Sequence, residues 1–284
     1  MNDKFHRFFA DRYPNVRSKF PGEGRRRWKL RVMEELWLEP EAQAEISSAA
    51  LNSQDTPGDA AYEKDGDPMD VITDCEEVGL VIRTDFSNDD AWNAFVSKLK
   101  DAEKELLGSM MQAQDTTNQD DNDIEMKEEE SRDSESESDA TPDHIIRLVA
   151  NANDPLFNGI SNIAALRLLN DVGIRLAPAP PAGTKRISPS NRLIDRNKLQ
   201  EIYSGKTIWI YDGQSNSDES VRLVSQQGDV YGTATADSWR ARASHVPELQ
   251  FNMSAYNMKI DFGGLDRWDY SERLKNLEEA EPKQ

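Results

Sequence analysis

Four charged side chains of this sequence lie where predicted β-strands end or a turn begins. Arg83 and Asp85 follow an apolar run at 78–82, Asp212 ends a second apolar run, and Asp154 begins a turn. Ligands of open α/β sheets bind beyond the carboxyl ends of the strands, and helix N-termini favour anions. We therefore predict that these four side chains converge on a polar site.

A purely structural role is the alternative for the same residues. Asp89 and Asp90 are suited to the start of the helix that follows the first strand. Asp154 can cap a turn before the next residue, which is a proline, and Arg83 can pair with a neighbouring carboxylate. Charged residues in turns usually have such structural roles.

The first 38 residues are basic although the whole chain is acidic. They carry ten Lys or Arg and five Asp or Glu, a net charge of +5 in a chain of −19. The candidate basic patch consists of Arg25, Arg26, Arg27, Lys29 and Arg31. Such a patch could bind nucleic acid or an acidic partner. Alternatively, the aromatic residues of this segment could dock it on the rest of the protein.

Two acidic segments hold the excess negative charge. Residues 39–70 form a predicted flexible linker, and residues 109–142 form a predicted disordered insertion with twelve Asp or Glu and two Lys or Arg. Such segments bury too little apolar surface to offset the entropy lost on ordering. Ser134 and Ser136 each precede an acidic residue by three positions, so they are candidate phosphorylation sites; a solvating spacer is the alternative.

The remaining segments alternate between strand and helix patterns, which indicates an α/β (or α+β) domain with a mixed sheet and packed helices. Residues 71–108 and 143–270 form this domain, between a helical arm at 1–38 and a charged tail at 271–284. The predicted strands are 78–84, 145–150, 207–212, and a hairpin of 221–225 with 230–235; the predicted helices are 88–107, 161–171 and 193–203. The strand at 207–212 is apolar at successive positions, which predicts a central strand buried on both faces.

The sequence offers no evident catalytic or metal-binding constellation. His6, His144 and His245 are far apart and have no His or Cys at ligand spacing. Cys75 lies between two acidic residues, whose charges should raise the pKa of its thiol. We therefore expect no catalytic residue, no metal and no cofactor, which argues against an enzyme.

The run at 83–92, Arg-Thr-Asp-Phe-Ser followed by acidic residues and Trp, resembles a signature of a family of domains of unknown function in bacteria and fungi. Further motifs similar to that family lie at 154–159, 208–212 and 252–262. The family has no established activity, so the resemblance implies a shared core and no catalytic residue. The arm, the acidic insertion and an expanded connector at 175–206 would then be additions to this core.

These features favour a non-catalytic intracellular protein that binds a protein partner through its basic arm and acidic segments. One alternative is a small-molecule-binding or catalytic domain with a polar site at the strand ends. Another is association with nucleic acid through the arm. Cys75 is the only cysteine and no apolar run reaches about 18 residues, which predicts cytoplasmic and/or nuclear location without membrane association.

Overall fold

A computed structural model of the protein describes residues 3–50, 64–120, 144–151, 155–178, 190–226, 236–260 and 270–281. The helices in these ranges are α1 (Asp3–Lys19), α2 (Arg25–Leu38), α3 (Pro40–Ala50), α4 (Asp70–Thr73), α5 (Asp89–Asp120), α6 (Asn162–Leu169), α7 (Ser215–Asp218), α8 (Val246–Ala255) and α9 (Tyr270–Ala280). The strands are β1 (Gly79–Arg83), β2 (Ile146–Val149), β3 (Asp171–Leu176), β4 (Leu199–Ser204), β5 (Thr207–Tyr211), β6 (Ser220–Val224) and β7 (Ser238–Arg242). None of the described helices is both long and apolar enough to cross a membrane.

The centre of the fold is a five-stranded mixed sheet with the strand order β2-β1-β5-β6-β7. Strands β2, β1 and β5 are parallel, and β6 and β7 continue the sheet in antiparallel fashion. Every residue of β1 is buried, and so are the residues of β5 from Ile208 to Tyr211. The predicted α/β fold with a mixed sheet is confirmed, as is the central, doubly buried strand at 207–211.

Side chains alternate along the central strands and so build two hydrophobic cores. Leu80 and Ile82 of β1 join the core that contains α1, α2, α6 and the β3–β4 hairpin. Val81 and Trp209 join the core on the other face, which α5 and α8 cover. The chain crosses the sheet in one direction from β1 to β2 and in the other direction from β2 to β5. Because crossovers between parallel strands are right-handed, these two connections lie on opposite faces of the sheet. Open α/β sheets bind ligands where such connections diverge, which here is at the carboxyl ends of β1 and β5.

The N-terminal arm belongs to the first of these cores. The buried residues of α2 include Trp28, Val32, Met33, Leu36 and Trp37, which form an apolar stripe along this helix. Helix α2 contacts α6 and β3, and α1 and α3 pack against α2 in turn. The arm therefore docks on the domain, which is one of the two arrangements that the sequence left open.

A buried polar cluster joins the arm to β4. Glu201 has no exposed surface, and it accepts hydrogen bonds from Trp37 Nε1 at 2.6 Å and from the Tyr203 hydroxyl. The fully buried Arg192 places Nε 3.6 Å from Glu201 and donates from Nη1 to Glu34 at 2.8 Å. A buried carboxylate requires such partners because its desolvation is costly. The charge of Glu201 therefore couples the arm to the β3–β4 hairpin.

The prediction of a helix at 193–203 is wrong, because this segment contains strand β4. Strand β4 pairs antiparallel with β3 over its whole length. Asn197 and Lys198 have φ angles of 54° and 69°, which lie outside the helical region and turn the chain before β4. The predicted helix at 161–171 ends earlier, at Leu169, and Asp171 already begins β3.

Other predicted boundaries also differ from the structure. Helix α5 continues to Asp120, so residues 109–120 of the predicted disordered insertion are helical. Helix α3 occupies part of the predicted linker and packs on α2, and α9 occupies most of the predicted tail and packs on α6. Strand β6 pairs with β7 at Ser238–Arg242, whereas the predicted partner at 230–235 lies outside the described residues.

Candidate functional site

A cleft of about 720 Å³ lies beyond the carboxyl end of β5; we call it the strand-end cleft. Residues of β6 and β7 form one wall, and residues at the start of α6 and on α9 form the other. Ligands of open α/β sheets bind at this position, and the volume is typical of ligand pockets. The charged residues that line the cleft are Asp212, Arg222, Arg240, Glu272 and Lys275.

Asp212 directly follows β5, and its two carboxylate oxygens face different partners. Oδ1 accepts hydrogen bonds from the N–H groups of Gln214 at 3.1 Å and Ser215 at 3.2 Å, which turns the chain into α7. Oδ2 faces two arginines of β6 and β7. The turn therefore fixes the carboxylate in the cleft.

Arg222 and Arg240 are cross-strand partners on β6 and β7, so two like charges lie side by side. Such a pair is destabilising without a nearby anion. Asp212 supplies this anion, since its Oδ2 lies 2.8 Å from Arg222 Nε and accepts a hydrogen bond from Arg240 Nη2. Burial alone would raise the pKa of Asp212, but the Arg240 hydrogen bond and the two positive charges outweigh burial and lower it. Asp212 is therefore ionised and is a weak general base.

The opposite wall presents polar groups at the start of α6. Ser161 is the N-cap, and its Oγ accepts a hydrogen bond from the Ala164 N–H at 3.1 Å. Asn162 Oδ1 accepts a hydrogen bond from Arg222 Nη1 at 3.0 Å, and Asn162 Nδ2 donates to Glu272 Oε1 at 2.6 Å. Asn162 thereby links β6, α6 and α9 at the cleft.

The strand-end cleft is positively charged in an acidic protein. Three cations, Arg222, Arg240 and Lys275, line it together with two anions, Asp212 and Glu272. The formal charge of the described lining residues is therefore +1, whereas the whole chain carries −19. Clefts with walls of one dominant charge concentrate ligands of the opposite sign.

Arg83 does not line the strand-end cleft. Its buried guanidinium turns toward the start of α5, where Nε donates to the carbonyl oxygen of Asp85 at 2.9 Å and Nη2 donates to Asp89 Oδ1 at 2.7 Å. The guanidinium also lies over the rings of Phe86 and Trp92. These contacts match the structural alternative, since Arg83 fastens the turn between β1 and α5.

Asp85 lies between the carboxyl ends of β1 and β5, outside the lining of the cleft. It accepts hydrogen bonds from the hydroxyl and N–H of Ser87 and from Asn216 Nδ2 at 2.9 Å, and the Ser87 bonds lower the pKa of Asp85. A Cβ on Gly213 would lie 3.2 Å from Asp85 Oδ2, so the glycine leaves space for this carboxylate. Asp154 lies outside the described residues. Among the predicted site residues within the described ranges, only Asp212 lines the cleft.

No match to this chain was found among models of protein families, curated proteins or solved structures. The resemblance to a family of bacterial and fungal domains therefore stays a prediction. Function has to be inferred from the geometry and charge of the site.

Carboxylates of the same chain occupy the predicted basic patch. Arg25 pairs with Asp70 at 3.1 Å, and the buried Arg26 pairs with Asp67 at 2.8 Å. Arg26 also donates a hydrogen bond to Asp70 Oδ1 at 2.9 Å. Both aspartates belong to the segment that was predicted to be a flexible linker. In the structure, its last residues lie against the start of α2.

The other basic residues of the patch follow the same pattern. Lys29 is buried and lies 3.3 Å from Asp171 at the start of β3, and Arg31 pairs with Glu23 at 2.6 Å. Arg27 is exposed. Four of the five basic side chains are thus paired within the chain, which differs from the open basic surface that the sequence predicts.

The other candidate residues form no site in the described structure. Within the described ranges, no three His, Cys, Asp or Glu side chains lie together in a way that could hold a metal ion. Burial raises the pKa of the Cys75 thiol, so this cysteine carries little thiolate near neutral pH. Ser134 and Ser136 lie outside the described residues, and their phosphorylation stays a prediction.

Sequence reasoning identified Asp212 but missed Arg222, Arg240, Asn162 and Lys275. The available signal was weak: Arg222 interrupts the otherwise largely apolar strand β6, and Arg240 lies in the mixed segment Ser-Trp-Arg-Ala-Arg of β7. Their proximity depends on the pairing register of β6 with β7, which the chain order does not reveal. Lys275 lies in the segment interpreted as a charged tail, so it was not placed near any strand.

Proposed function

We propose that the protein binds a small molecule in the strand-end cleft. The observation that carries this proposal is the Asp212 carboxylate held between the neighbouring side chains of Arg222 and Arg240. Placing two arginines side by side is unfavourable, and folding alone does not require it. Partly buried charge clusters of this kind occur preferentially at functional sites.

The position of the cluster supports the same conclusion. Asp212 ends the central strand, at the edge of the sheet where α/β proteins bind ligands. The walls come from separate strands and helices, and a volume of about 720 Å³ accommodates a molecule of metabolite size. The lining offers several charged and amide groups that can orient such a molecule.

The proposed role is binding rather than proton transfer. The lowered pKa of Asp212 keeps its carboxylate ionised, and both of its oxygens already have partners. A carboxylate in this state orients the arginines and has little tendency to accept a proton.

Partner binding through the basic arm has less support. The apolar face of α2 is buried, and a nucleic acid would have to displace the carboxylates that pair with Arg25, Arg26, Lys29 and Arg31. Exchange of one anion for another yields less net affinity than binding to open cations. The proposal therefore places function in the cleft.

A thermal-shift screen of the full chain against a metabolite library tests this proposal. A compound at one hundred times its Kd stabilises a folded protein by about 2.7 kcal/mol. For a protein of this size that corresponds to a rise in Tm of roughly 5–10 °C. We expect at least one compound to produce such a shift.

A variant with a filled cleft shows whether a compound binds there. Ser271 is exposed on α9 and lines the cleft, so Ser271→Trp should fill it and abolish the shift. Ser109 is exposed on α5 outside the cleft lining, and Ser109→Trp is the matched control, which should respond like the unmodified protein. Absence of any shift, or equal shifts in all three proteins, would refute binding in the cleft.

A further inference from the structure

We infer that the strand-end cleft receives the anionic end of its ligand, a carboxylate or a phosphate group, and that Arg222, Arg240 and Lys275 hold it. This inference rests on the proposed binding function and specifies the chemistry of the ligand. Its basis is an imbalance in the cleft between hydrogen-bond acceptors, which are in use, and donors, which are in excess.

Both oxygens of the central carboxylate already face groups of the same chain. Asp212 Oδ1 faces the N–H groups of Gln214 and Ser215 and the Ser215 hydroxyl, which donates at 3.1 Å. Asp212 Oδ2 faces Arg222 and Arg240. An ionised carboxylate offers about four lone-pair positions. A cationic ligand would therefore have to compete with two arginines for the Asp212 carboxylate.

The two arginines retain donors. Each guanidinium has five N–H groups. Within the described structure, Arg222 uses Nε toward Asp212 and Nη1 toward Asn162. Arg240 uses Nη1 toward Ser220 and Nη2 toward Asp212. Most N–H groups of both arginines therefore remain for oxygens that a ligand supplies.

The contact between Arg222 and Asp212 also leaves a donor without an aligned acceptor. Arg222 Nε is buried and lies 2.8 Å from Asp212 Oδ2, yet this N–H has no hydrogen-bond partner in the described structure. The contact is therefore an ion pair rather than a directed hydrogen bond. A buried N–H in this state costs free energy that an incoming oxygen would recover.

The charge of the lining points to the same class of ligand. Lys275 is exposed on α9 and adds an ammonium group to the arginine pair, whereas Glu272 accepts a hydrogen bond from Asn162. With three cations and two anions, the cleft has a formal charge of +1 that one negative charge of a ligand would neutralise. Guanidinium groups match carboxylate and phosphate oxygens in geometry as well as in charge.

Ligand-observed NMR titrations of the full chain test the inference with three probes at constant ionic strength. Inorganic phosphate and acetate represent the two oxyanion classes, and tetramethylammonium is the cationic comparison. We expect saturable binding of at least one oxyanion, and the tighter of the two identifies the class. We expect no saturable binding of tetramethylammonium.

Two variants locate the bound anion, and each has a matched control. Arg240→Gln should weaken oxyanion binding by about 10- to 100-fold because a charge-assisted hydrogen bond is lost. Its control is Arg242→Gln, an exposed arginine on the same strand outside the cleft lining. Lys275→Gln should weaken binding by about 3- to 10-fold, the loss of one partly screened charge. Its control is Lys104→Gln on α5, also exposed.

The outcomes separate this inference from the proposed function. Loss of oxyanion binding in the two cleft variants but not in their controls supports the inference. If both cleft variants bound the oxyanion as tightly as the unmodified protein, the inference would be wrong. It would also be wrong if every library compound whose thermal shift is abolished by Ser271→Trp were neutral or cationic. In that last case the proposed function would stand. If no compound and no anion bound in the cleft, both proposals would fall. Lys275 is exposed, so Lys275→Gln should fold and decides the question even if Arg240→Gln fails to fold.

Discussion

Replacement of Leu36 by alanine tests whether the N-terminal arm belongs to the folding unit. Leu36 lies on α2, has no exposed surface and is part of the core that contains α6 and the β3–β4 hairpin. Truncation of a fully buried leucine costs about 3–5 kcal/mol, because apolar contacts are lost and a cavity remains. Alanine has a slightly higher helix propensity than leucine, so a loosely tethered helix would change by only about 0.2 kcal/mol, in favour of alanine. The two arrangements thus differ by roughly 3 kcal/mol in the expected effect.

The assay is urea unfolding followed by far-UV circular dichroism and by tryptophan fluorescence, which together give the free energy of unfolding and test for a single transition. The matched control is Leu38→Ala, two positions further on the same helix, where the side chain is 68% exposed. We expect this control to change the free energy of unfolding by less than about 0.5 kcal/mol. Equal effects of the two substitutions would refute the reasoning. So would an early, separate transition of the arm.

Three further predictions concern charged residues. The pKa of Asp212 is lowered in the folded protein, so its contribution to stability is present above the pKa of an unfolded aspartate, near 4, and is lost as the pH falls through the folded value. Asp212→Asn should therefore lower the free energy of unfolding by about 2 kcal/mol at pH 7 and by much less near pH 2–3. Urea unfolding at both pH values measures this difference, and an equal loss at both would contradict the lowered pKa. Glu201→Gln should lower the free energy of unfolding by about 3 kcal/mol or more, because the fully buried Arg192 loses a charged partner. A loss below about 1 kcal/mol would show that folding does not need this charge. Arg83→Gln should lower stability by about 1–3 kcal/mol through its contacts at the start of α5 while leaving the Kd for cleft ligands unchanged, and a changed Kd would return Arg83 to the site.

The parts of the fold that the sequence predicted correctly are those with strong local patterns. Strand β5 is a continuous apolar run, and β1 is an apolar segment that leads into a turn and a helix. Helix α6 has an N-cap serine and an apolar face at helical spacing. In each case the residues that determine the element lie next to one another, so the pattern is visible without knowledge of tertiary contacts.

The segment before β5 was misinterpreted because its structure depends on distant residues. Leu199, Ile202 and Tyr203 have the i, i+3, i+4 spacing of a helical face. In the structure, pairing with β3 selects a strand instead, and the positive φ of Lys198 is not signalled by its residue type. The buried position of Glu201 was equally hidden, since its donors come from α2 and from the residues before β4.

The candidate site was predicted in position but not in composition. Asp212 was found because it ends a recognisable strand. Arg222 and Arg240 meet it only through the register of β6 and β7. The prediction from the charge blocks of the sequence was wrong. The basic start of α2 and the acidic residues near Asp67 were interpreted as separate surfaces. In the folded chain they form ion pairs with each other.

The long-range contacts of the arm impose an order of events during protein synthesis. Trp37 and its acceptor Glu201 are separated by 164 positions, and Arg25 and its partner Asp171 by 146. At a translation rate of about 5–20 residues per second, Trp37 waits roughly 8–33 s until Glu201 has been made. Meanwhile α1 and α3 are the neighbours that can shield the apolar face of α2. Helix α2 is therefore made well before its native partners in β3 and β4, and contacts over such separations slow folding.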